Sequence, residues 1–228
     1  MAKRPIFVPK LNGSQMVVAI PIEFTWHAGM SKSQKQKSIR SLHEAAKKSR
    51  GIENVLEISS KSEDKIGIQL SAFNLMFKTA NGNSAPVEVL FQGSKVFSDG
   101  GPYTDIYQKT SREAKADERL KTSGQLIMFQ YEGFDWSLNP KTVFYDWLYL
   151  SALKQNISLA KQLLEYDGFS DIEFNPEKSI NCQASSAALY KALVERKLLE
   201  FAFSSPENFI RISKGQKNEP VNKQEFLF

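Results

Sequence analysis

Residues 86–97 constrain the fold most, because this segment is apolar on nearly every side of a helix. It reads Pro-Val-Glu-Val-Leu-Phe-Gln-Gly-Ser-Lys-Val-Phe, and proline suits the first position of a helix. A helix of this composition belongs in the protein interior. Its polar residues Glu88, Gln92 and Lys95 have i, i+4, i+7 spacing, which places them within about 60° of one face.

Burying a carboxylate and an ammonium costs free energy unless the groups pair with each other or serve a function. The polar stripe therefore fits a buried Glu–Lys pair, a face that lies in solvent, or a functional site. Spacing alone leaves these three interpretations open.

The chain is long enough to surround such a helix with a core. Its 228 residues are 41% hydrophobic and 24% charged, which excludes a mostly disordered chain and suits one large domain or two small ones. Its only cysteine is Cys182, which we interpret as a small packing residue, and its only histidines are His27 and His43. We therefore expect neither disulfides nor a Cys/His zinc site.

Nothing in the sequence has the length of a membrane span, which needs about 20 apolar residues. Residues 1–15 include basic side chains but lack the apolar core of a signal peptide. Together with the cysteine count, this predicts a cytoplasmic protein without a membrane segment.

The positive charge is concentrated near the N-terminus. The net charge is +5, yet residues 1–50 contain 10 Lys or Arg against 2 Asp or Glu. Most of that excess lies in the stretch over residues 31–50. Such a patch attracts polyanions, and nucleic acid is the leading candidate, although a solvated helix face would look the same.

Apolar periodicity and turn residues predict an α+β protein of one domain, mostly helical with a small sheet. We predict a helix from Ser31 or Ser33 to about residue 48, with Ile39, Leu42 and Ala46 on its apolar side. Strands are predicted over residues 16–24, 54–58, 73–78, 126–131 and 171–174. Further helices are predicted over residues 86–97, 112–121, 141–155, 158–166 and 185–201, with a short one after Ser205.

Several residues outside the 86–97 segment suit a nucleotide. Arg112, Lys115 and Arg119 have i, i+3, i+7 spacing, and three cations on one helix face suit a diphosphate, although a surface helix would also carry them. The glycines before Pro102 permit a close approach to phosphate. The aromatic residues Phe73, Tyr103 and Trp147 suit base stacking or, alternatively, the core.

Four segments in register resemble the NADAR family, whose name refers to NAD and ADP-ribose. Leu70-Ser71-Ala72-Phe73-Asn74 is similar to its LSNF motif, and residues 87–97 are similar to its SEHxxQxxKF helix. Residues 111–115 resemble its PREAK segment, and residues 147–164 its following helix pair. The sequences SKSQKQKSIRSLHEAAKK and LEISSKS further resemble NADAR antitoxins paired with DNA ADP-ribosyltransferase toxins.

Two positions depart from the family pattern. Val89 replaces the usual histidine after the glutamate, and Ser-Ile-Asn-Cys-Gln over residues 179–183 replaces the DxxWG segment. An acid contributed from that segment is therefore missing, which leaves Asn181 or Gln183 a binding role.

The resemblance implies an N-glycosidase that removes ADP-ribose from guanine in DNA and acts as an antitoxin, without a metal or a bound cofactor. Glu88 would be its acid/base or oxocarbenium stabiliser, and Lys95 a nucleophile or an electrostatic support. The residues implied to bind ADP-ribose are Phe73, Asn74, Gln92, Gly101, Tyr103, Arg112, Lys115, Trp147 and Asn181. Those implied to contact DNA are Lys32, Lys35, Lys37 and Arg40.

The implied organisation is a basic β/α extension over residues 1–52, packed on a catalytic domain over residues 53–212, with a flexible tail over residues 213–228. The expected partners are ADP-ribosylated DNA, the ADP-ribose product and a cognate toxin. Two alternatives remain: an N-glycosidase of small phosphorylated ribosylamines, and a non-catalytic protein that binds DNA or the toxin. The basic N-terminal region argues against the first, because a small substrate does not need it.

Overall fold

Two antiparallel strands, β1 (Ala2–Pro9) and β2 (Val17–Phe24), begin the computed structural model, which describes residues 1–177 and 179–215. β2 is an edge strand, as its Pro21 predicts, because proline has no N–H for another strand to pair with. β1 was not predicted as a strand, because charged residues and two prolines interrupt its apolar residues.

The main sheet has the strand order β2-β1-β9-β3. β9 (Gly168–Ser170) pairs antiparallel with β1 and parallel with β3 (Val55–Glu57). Residues 1–52 therefore share a sheet with the rest of the protein. The strand predicted over residues 171–174 is wrong: the strand lies immediately before it, where pairing on both sides fixes an extended backbone.

Helix α1 (Lys32–Arg50), which confirms the helix predicted to about residue 48, covers this sheet. The Ser31 side chain caps it by accepting a hydrogen bond from the Gln34 backbone N–H, and Gly51 ends it in the left-handed conformation, with φ +66°. The predicted apolar side is buried and consists of Ile39, Leu42 and Ala46.

Helix α3 (Val87–Gly93) is buried at every position, as its composition predicts. The helix predicted over residues 86–97 is nevertheless too long. Residues Lys95–Phe97 form strand β6, which pairs with β7 (Leu126–Tyr131). The β-branched and aromatic residues at its end favour a strand once a partner strand lies beside them.

The helix predicted over residues 112–121 is divided into α4 (Ser111–Ala116) and α5 (Arg119–Thr122). Thr110 caps α4 through a reciprocal pair of hydrogen bonds with Glu113. Asp117 interrupts the helix because its carboxylate accepts the backbone N–H of Arg119.

The remaining elements close the domain. The predicted helices over residues 141–155 and 158–166 are confirmed as α6 (Val143–Gln155) and α7 (Ile157–Leu163). The helix predicted over residues 185–201 divides into α8 (Gln183–Glu195) and α9 (Leu199–Ala202). The strand predicted over residues 73–78 contains only β4, because Phe73 and Asn74 lie in a turn. These elements are α2 (Lys65–Gln69), β4 (Met76–Lys78), β5 (Ser84–Pro86), β8 (Phe134–Trp136), α6 (Val143–Gln155), α7 (Ile157–Leu163), α8 (Gln183–Glu195), α9 (Leu199–Ala202) and α10 (Pro206–Ser213).

The main hydrophobic core surrounds α3 and α6. The combination of helices with small sheets confirms the predicted α+β class. Trp136 and Phe144 are almost fully buried in an aromatic cluster, and the Tyr149 hydroxyl donates to the Leu70 carbonyl across 2.8 Å. This rigid packing fixes one side of α3 while its polar side faces a cavity. The predicted tail begins at residue 213, and its residues 216–228 lie outside the described part of the chain.

Candidate functional site

A cavity of about 640 Å³ opens between α3, β6, α4 and the segments that follow β9. This volume falls in the usual range for pockets that hold a small organic ligand. Six of the residues implied by the resemblance line it: Phe73, Glu88, Gln92, Lys95, Lys115 and Asn181.

The floor of the cavity contains three polar side chains connected by hydrogen bonds. Lys95 Nζ donates to Gln92 Oε1 across 2.6 Å, and Gln92 Nε2 donates to Glu88 Oε1 across 2.9 Å. Glu88 and Gln92 are only 7% and 6% exposed. Helix α3 supplies the first two groups one turn apart, while Lys95 arrives from β6. The amide thus holds the carboxylate and the ammonium at a fixed separation.

The surroundings of Lys95 alter its protonation. Burial lowers the pKa of its ammonium; the Glu88 carboxylate opposes this effect, and the charge of Lys115 adds to it. Lys95 Nζ also lies 5.0 Å from the centre of the Phe91 ring. A lysine in this setting is easier to deprotonate than one in water, which is the property that an amine nucleophile requires.

The rim of the cavity combines an aromatic ring with a cation. Phe73 is 36% exposed, and Lys115 Nζ lies 5.2 Å from the centre of its ring. Ser111 Oγ donates to the Phe73 carbonyl across 3.0 Å, so α4 and the Phe73 turn are held together. This rim offers one group that can stack on a base and another that can pair with a phosphate.

Five implied ligand residues do not line the cavity. Arg112 is exposed on α4. The Asn74 amide donates to the Ile68 carbonyl, and Trp147 packs in the aromatic cluster. Tyr103 stacks on Phe97, and its hydroxyl hydrogen-bonds the Ser123 hydroxyl. Gly101 packs against the backbone of Lys95, so closely that a Cβ on it would come within 2.4 Å of the Lys95 carbonyl oxygen.

Arg119, the third cation of the predicted diphosphate site, is paired with other side chains. Both terminal nitrogens of the Arg119 guanidinium contact the Asp105 carboxylate, at 2.6 and 3.1 Å, and Arg119 also pairs with Asp117. Its guanidinium lies 4.4 Å from the centre of the Tyr103 ring. The break in the predicted helix explains this difference, because Arg119 no longer shares a face with Lys115.

Sequence reasoning missed how Gln183 organises the cavity. Its Nε2 donates to the Ile58 carbonyl across 2.6 Å and to Asp171 Oδ2 across 3.0 Å, and its Oε1 accepts the Ala72 backbone N–H at 2.7 Å. One amide therefore connects three segments around the cavity. Asp171 itself was hidden by the misplaced strand, because the prediction made it the first residue of a strand rather than the residue that directly follows one.

Helix α1 approaches the cavity through an ion pair. Lys35 Nζ lies 3.1 Å from a carboxylate oxygen of Glu173, which lines the cavity, and 4.8 Å from the centre of the Trp26 ring. Arg40 pairs with Glu63 at 3.5 Å. Lys32 and Lys37 are exposed on the same helix. The basic surface thus lies beside the cavity mouth.

An α+β domain with a buried carboxylate–amide–amine floor, a phenylalanine rim and a neighbouring basic helix has the features expected of a NADAR protein. The model of the DarT1-associated NADAR antitoxin family matches residues 2–223. This protein belongs to that family, as the resemblance predicts. A search of curated proteins found no significant match.

Proposed function

We propose that this protein hydrolyses the N-glycosidic bond between ADP-ribose and guanine in DNA, and so reverses the modification made by a DNA ADP-ribosyltransferase toxin. The observation that carries the proposal is the buried Glu88–Gln92–Lys95 chain on the floor of the cavity. Membership of an antitoxin family supports the biological role.

Cleavage of this bond leaves positive charge on the anomeric carbon of the distal ribose. A carboxylate beside that carbon stabilises the developing charge, as in glycosidases. Glu88 has the burial for this role, because a carboxylate in a poorly hydrated site interacts more strongly with a nearby cation than it would in water. The hydrogen bond from Gln92 fixes the carboxylate's orientation.

Lys95 has two chemically distinct roles in this proposal. As an ammonium it would hold a ribose hydroxyl and balance the charge of Glu88. As a neutral amine it would attack the anomeric carbon of the ring-opened ribose, which is then an imine to the guanine nitrogen; guanine leaves as its free amine, and water hydrolyses the Schiff base that remains on Lys95. Its lowered pKa supports the second role, while its hydrogen bond to Gln92 is compatible with both.

The diphosphate is assigned to Lys115 at the cavity rim. Lys115→Ala should weaken the binding of free ADP-ribose by about 1.5–3 kcal/mol, the value of a charged hydrogen bond. Isothermal titration calorimetry measures this loss. Arg112→Ala on the same helix is the matched control, because Arg112 does not line the cavity; equal losses in both variants would contradict the assignment.

The basic face of α1, in which Lys32, Lys37 and Arg40 are exposed and Lys35 is partly buried against Glu173, is assigned to the DNA backbone. Replacing Lys32, Lys35, Lys37 and Arg40 by alanine should weaken DNA binding and flatten its dependence on salt, because fewer counterions are released. The slope of log K against log salt should become less steep by about 0.7–0.9 for each phosphate that the variant no longer neutralises. Fluorescence anisotropy over a salt series provides the measurement.

A double Lys47→Ala, Lys48→Ala variant tests whether position matters in addition to charge. These lysines lie in the last turn of the same helix. For each charge removed, this variant should change affinity and slope less than the fourfold substitution does. If the fourfold variant keeps the wild-type affinity and slope, α1 does not contact DNA.

The reaction itself is tested with DNA that carries ADP-ribose on guanine. The purified protein should release free ADP-ribose and restore unmodified guanine, both measurable by mass spectrometry. Turnover of phosphorylated ribosylamines alone would favour a small-molecule glycosidase. Tight binding of a toxin without turnover would favour a non-catalytic antitoxin.

A further inference from the structure

Asp171 presents a second carboxyl group to the cavity, immediately after β9. Its Oδ1 accepts the Glu173 backbone N–H at 3.0 Å, and its Oδ2 accepts Gln183 Nε2, also at 3.0 Å. These bonds hold both oxygens in place without supplying a positive charge. Asp171 lines the cavity, and no salt bridge to its carboxyl group occurs among residues 1–177 and 179–215.

A buried carboxyl group lies behind Asp171. Glu57 is 1% exposed; its Oε1 accepts the Ile172 backbone N–H at 2.9 Å, and its Oε2 accepts the Ser170 hydroxyl at 2.5 Å. Because Ser170 donates to Glu57, the His43 Nε2 that lies 2.8 Å from the same hydroxyl must be the donor of that contact. Burial lowers the pKa of His43 to about 4, so this imidazole supplies no positive charge near neutral pH.

The setting of Asp171 favours its protonated form. Burial raises the pKa of Asp171 to about 8; the neighbouring Glu57 carboxyl group, whose own pKa is also raised by burial, adds to this shift, and the two hydrogen-bond donors of Asp171 oppose it. The other titratable groups around it are Glu173 beside it in the chain, Tyr145 and Tyr149 on α6, and Cys182 before α8. Among these, the Glu173 carboxylate is paired with Lys35.

Glu88 and Asp171 reach the cavity from different elements. The buried hydroxyl of Tyr145 lies within electrostatic reach of both, since each carboxylate raises the pKa of this phenol. Two carboxyl groups in different environments can divide the work of glycosidic cleavage, one as a charged stabiliser and the other as a proton donor.

We propose that Asp171 is the general acid that protonates the departing guanine, which fills the place of the acid that is missing from residues 179–183. This inference depends on the proposed function. The Asp171 proton moves to the exocyclic guanine nitrogen as the bond from that nitrogen to the anomeric carbon breaks, and the bonding pair stays on nitrogen. Glu88 stabilises the carbon cation. Water then adds its oxygen to the carbon and returns a proton to Asp171.

Asp171→Asn removes the proton donor and keeps the shape of the side chain. Hydrolysis of ADP-ribosylated DNA should fall about 10²- to 10³-fold, while ADP-ribose binding stays close to wild type. The melting temperature should fall slightly, because the amide NH2 replaces an oxygen that accepts a hydrogen bond. The wild-type rate should decline as pH rises through about 8, because the acidic form of Asp171 is lost there. That decline should disappear from the residual activity of the variant. Glu177→Gln, an exposed carboxyl on the same loop, is the matched control and should keep the wild-type rate and pH profile.

An ADP-ribosyl compound with 4-nitrophenolate as its leaving group separates acid catalysis from a structural effect, because nitrophenolate departs without a proton. Asp171→Asn should cleave it at close to the wild-type rate. If the wild type hydrolyses modified DNA and Asp171→Asn matches its rate, or keeps the decline near pH 8, this inference alone is overturned. An equal loss on both substrates would also overturn it. A wild type that is inactive on modified DNA would overturn the proposed function and this inference together.

Discussion

Glu88→Gln should still bind ADP-ribose but hydrolyse ADP-ribosylated DNA about 10²- to 10⁴-fold more slowly than the wild type. The substitution preserves the size of the side chain and a partner for Gln92, which donates to Glu88 at 2.9 Å. It removes the negative charge that would stabilise the anomeric carbon. A loss of this size corresponds to about 3–5 kcal/mol of activation free energy. Single-turnover measurements with saturating enzyme would report the chemical step without a contribution from DNA binding.

Glu118→Gln provides the control for this prediction. Glu118 is an exposed carboxylate that precedes α5 and does not line the cavity. Its replacement should leave both the binding of ADP-ribose and the hydrolysis rate unchanged. Full activity of Glu88→Gln would move the reaction centre away from α3.

Lys95→Ala should be at least as damaging as Glu88→Gln if the amine of Lys95 attacks the ribose. In that case borohydride added during turnover should trap an ADP-ribosyl adduct on the wild-type protein, identified by peptide mass spectrometry. The lowered pKa of Lys95 makes the neutral amine more accessible than it is for a lysine in water. No adduct should form on Lys95→Ala.

Lys95→Arg distinguishes the two roles of the side chain. Arginine keeps the positive charge near Gln92 and Glu88 but cannot act as an amine nucleophile. A nucleophilic lysine therefore predicts that Lys95→Arg is as inactive as Lys95→Ala. Wild-type hydrolysis by Lys95→Arg would show that Lys95 acts only through its charge.

The polar floor of the cavity was accessible to sequence reasoning, although the predicted geometry was partly wrong. Glu88 and Gln92 share a helix face, as their spacing predicts, but Lys95 belongs to β6. Its long side chain still reaches Gln92 from the strand. Local pattern located the three groups because they are near in sequence, while the end of the helix depended on pairing with β7, which local pattern does not contain.

Contacts between distant segments could not be predicted in this way. Strand β9 has three residues, which is too short for a periodic signal, and both of its partners, β1 and β3, lie far earlier in the sequence. Asp171 was therefore not recognised as the residue at the end of a strand. Likewise, the spacing of Arg112, Lys115 and Arg119 assumed an unbroken helix, whereas Asp117 ends that helix by a side-chain hydrogen bond.

The position of β9 between β1 and β3 has a consequence for how such a protein diversifies. The hairpin that precedes the basic helix pairs with the strand that leads into Asp171, so the basic surface and one wall of the cavity are joined by a single sheet. Recombination could not remove or exchange residues 1–52 as one segment without leaving the edge of β9 that pairs with β1 exposed. Changes in its basic surface would instead have to accumulate one substitution at a time on the exposed face of α1, under the constraint that its buried face stays intact.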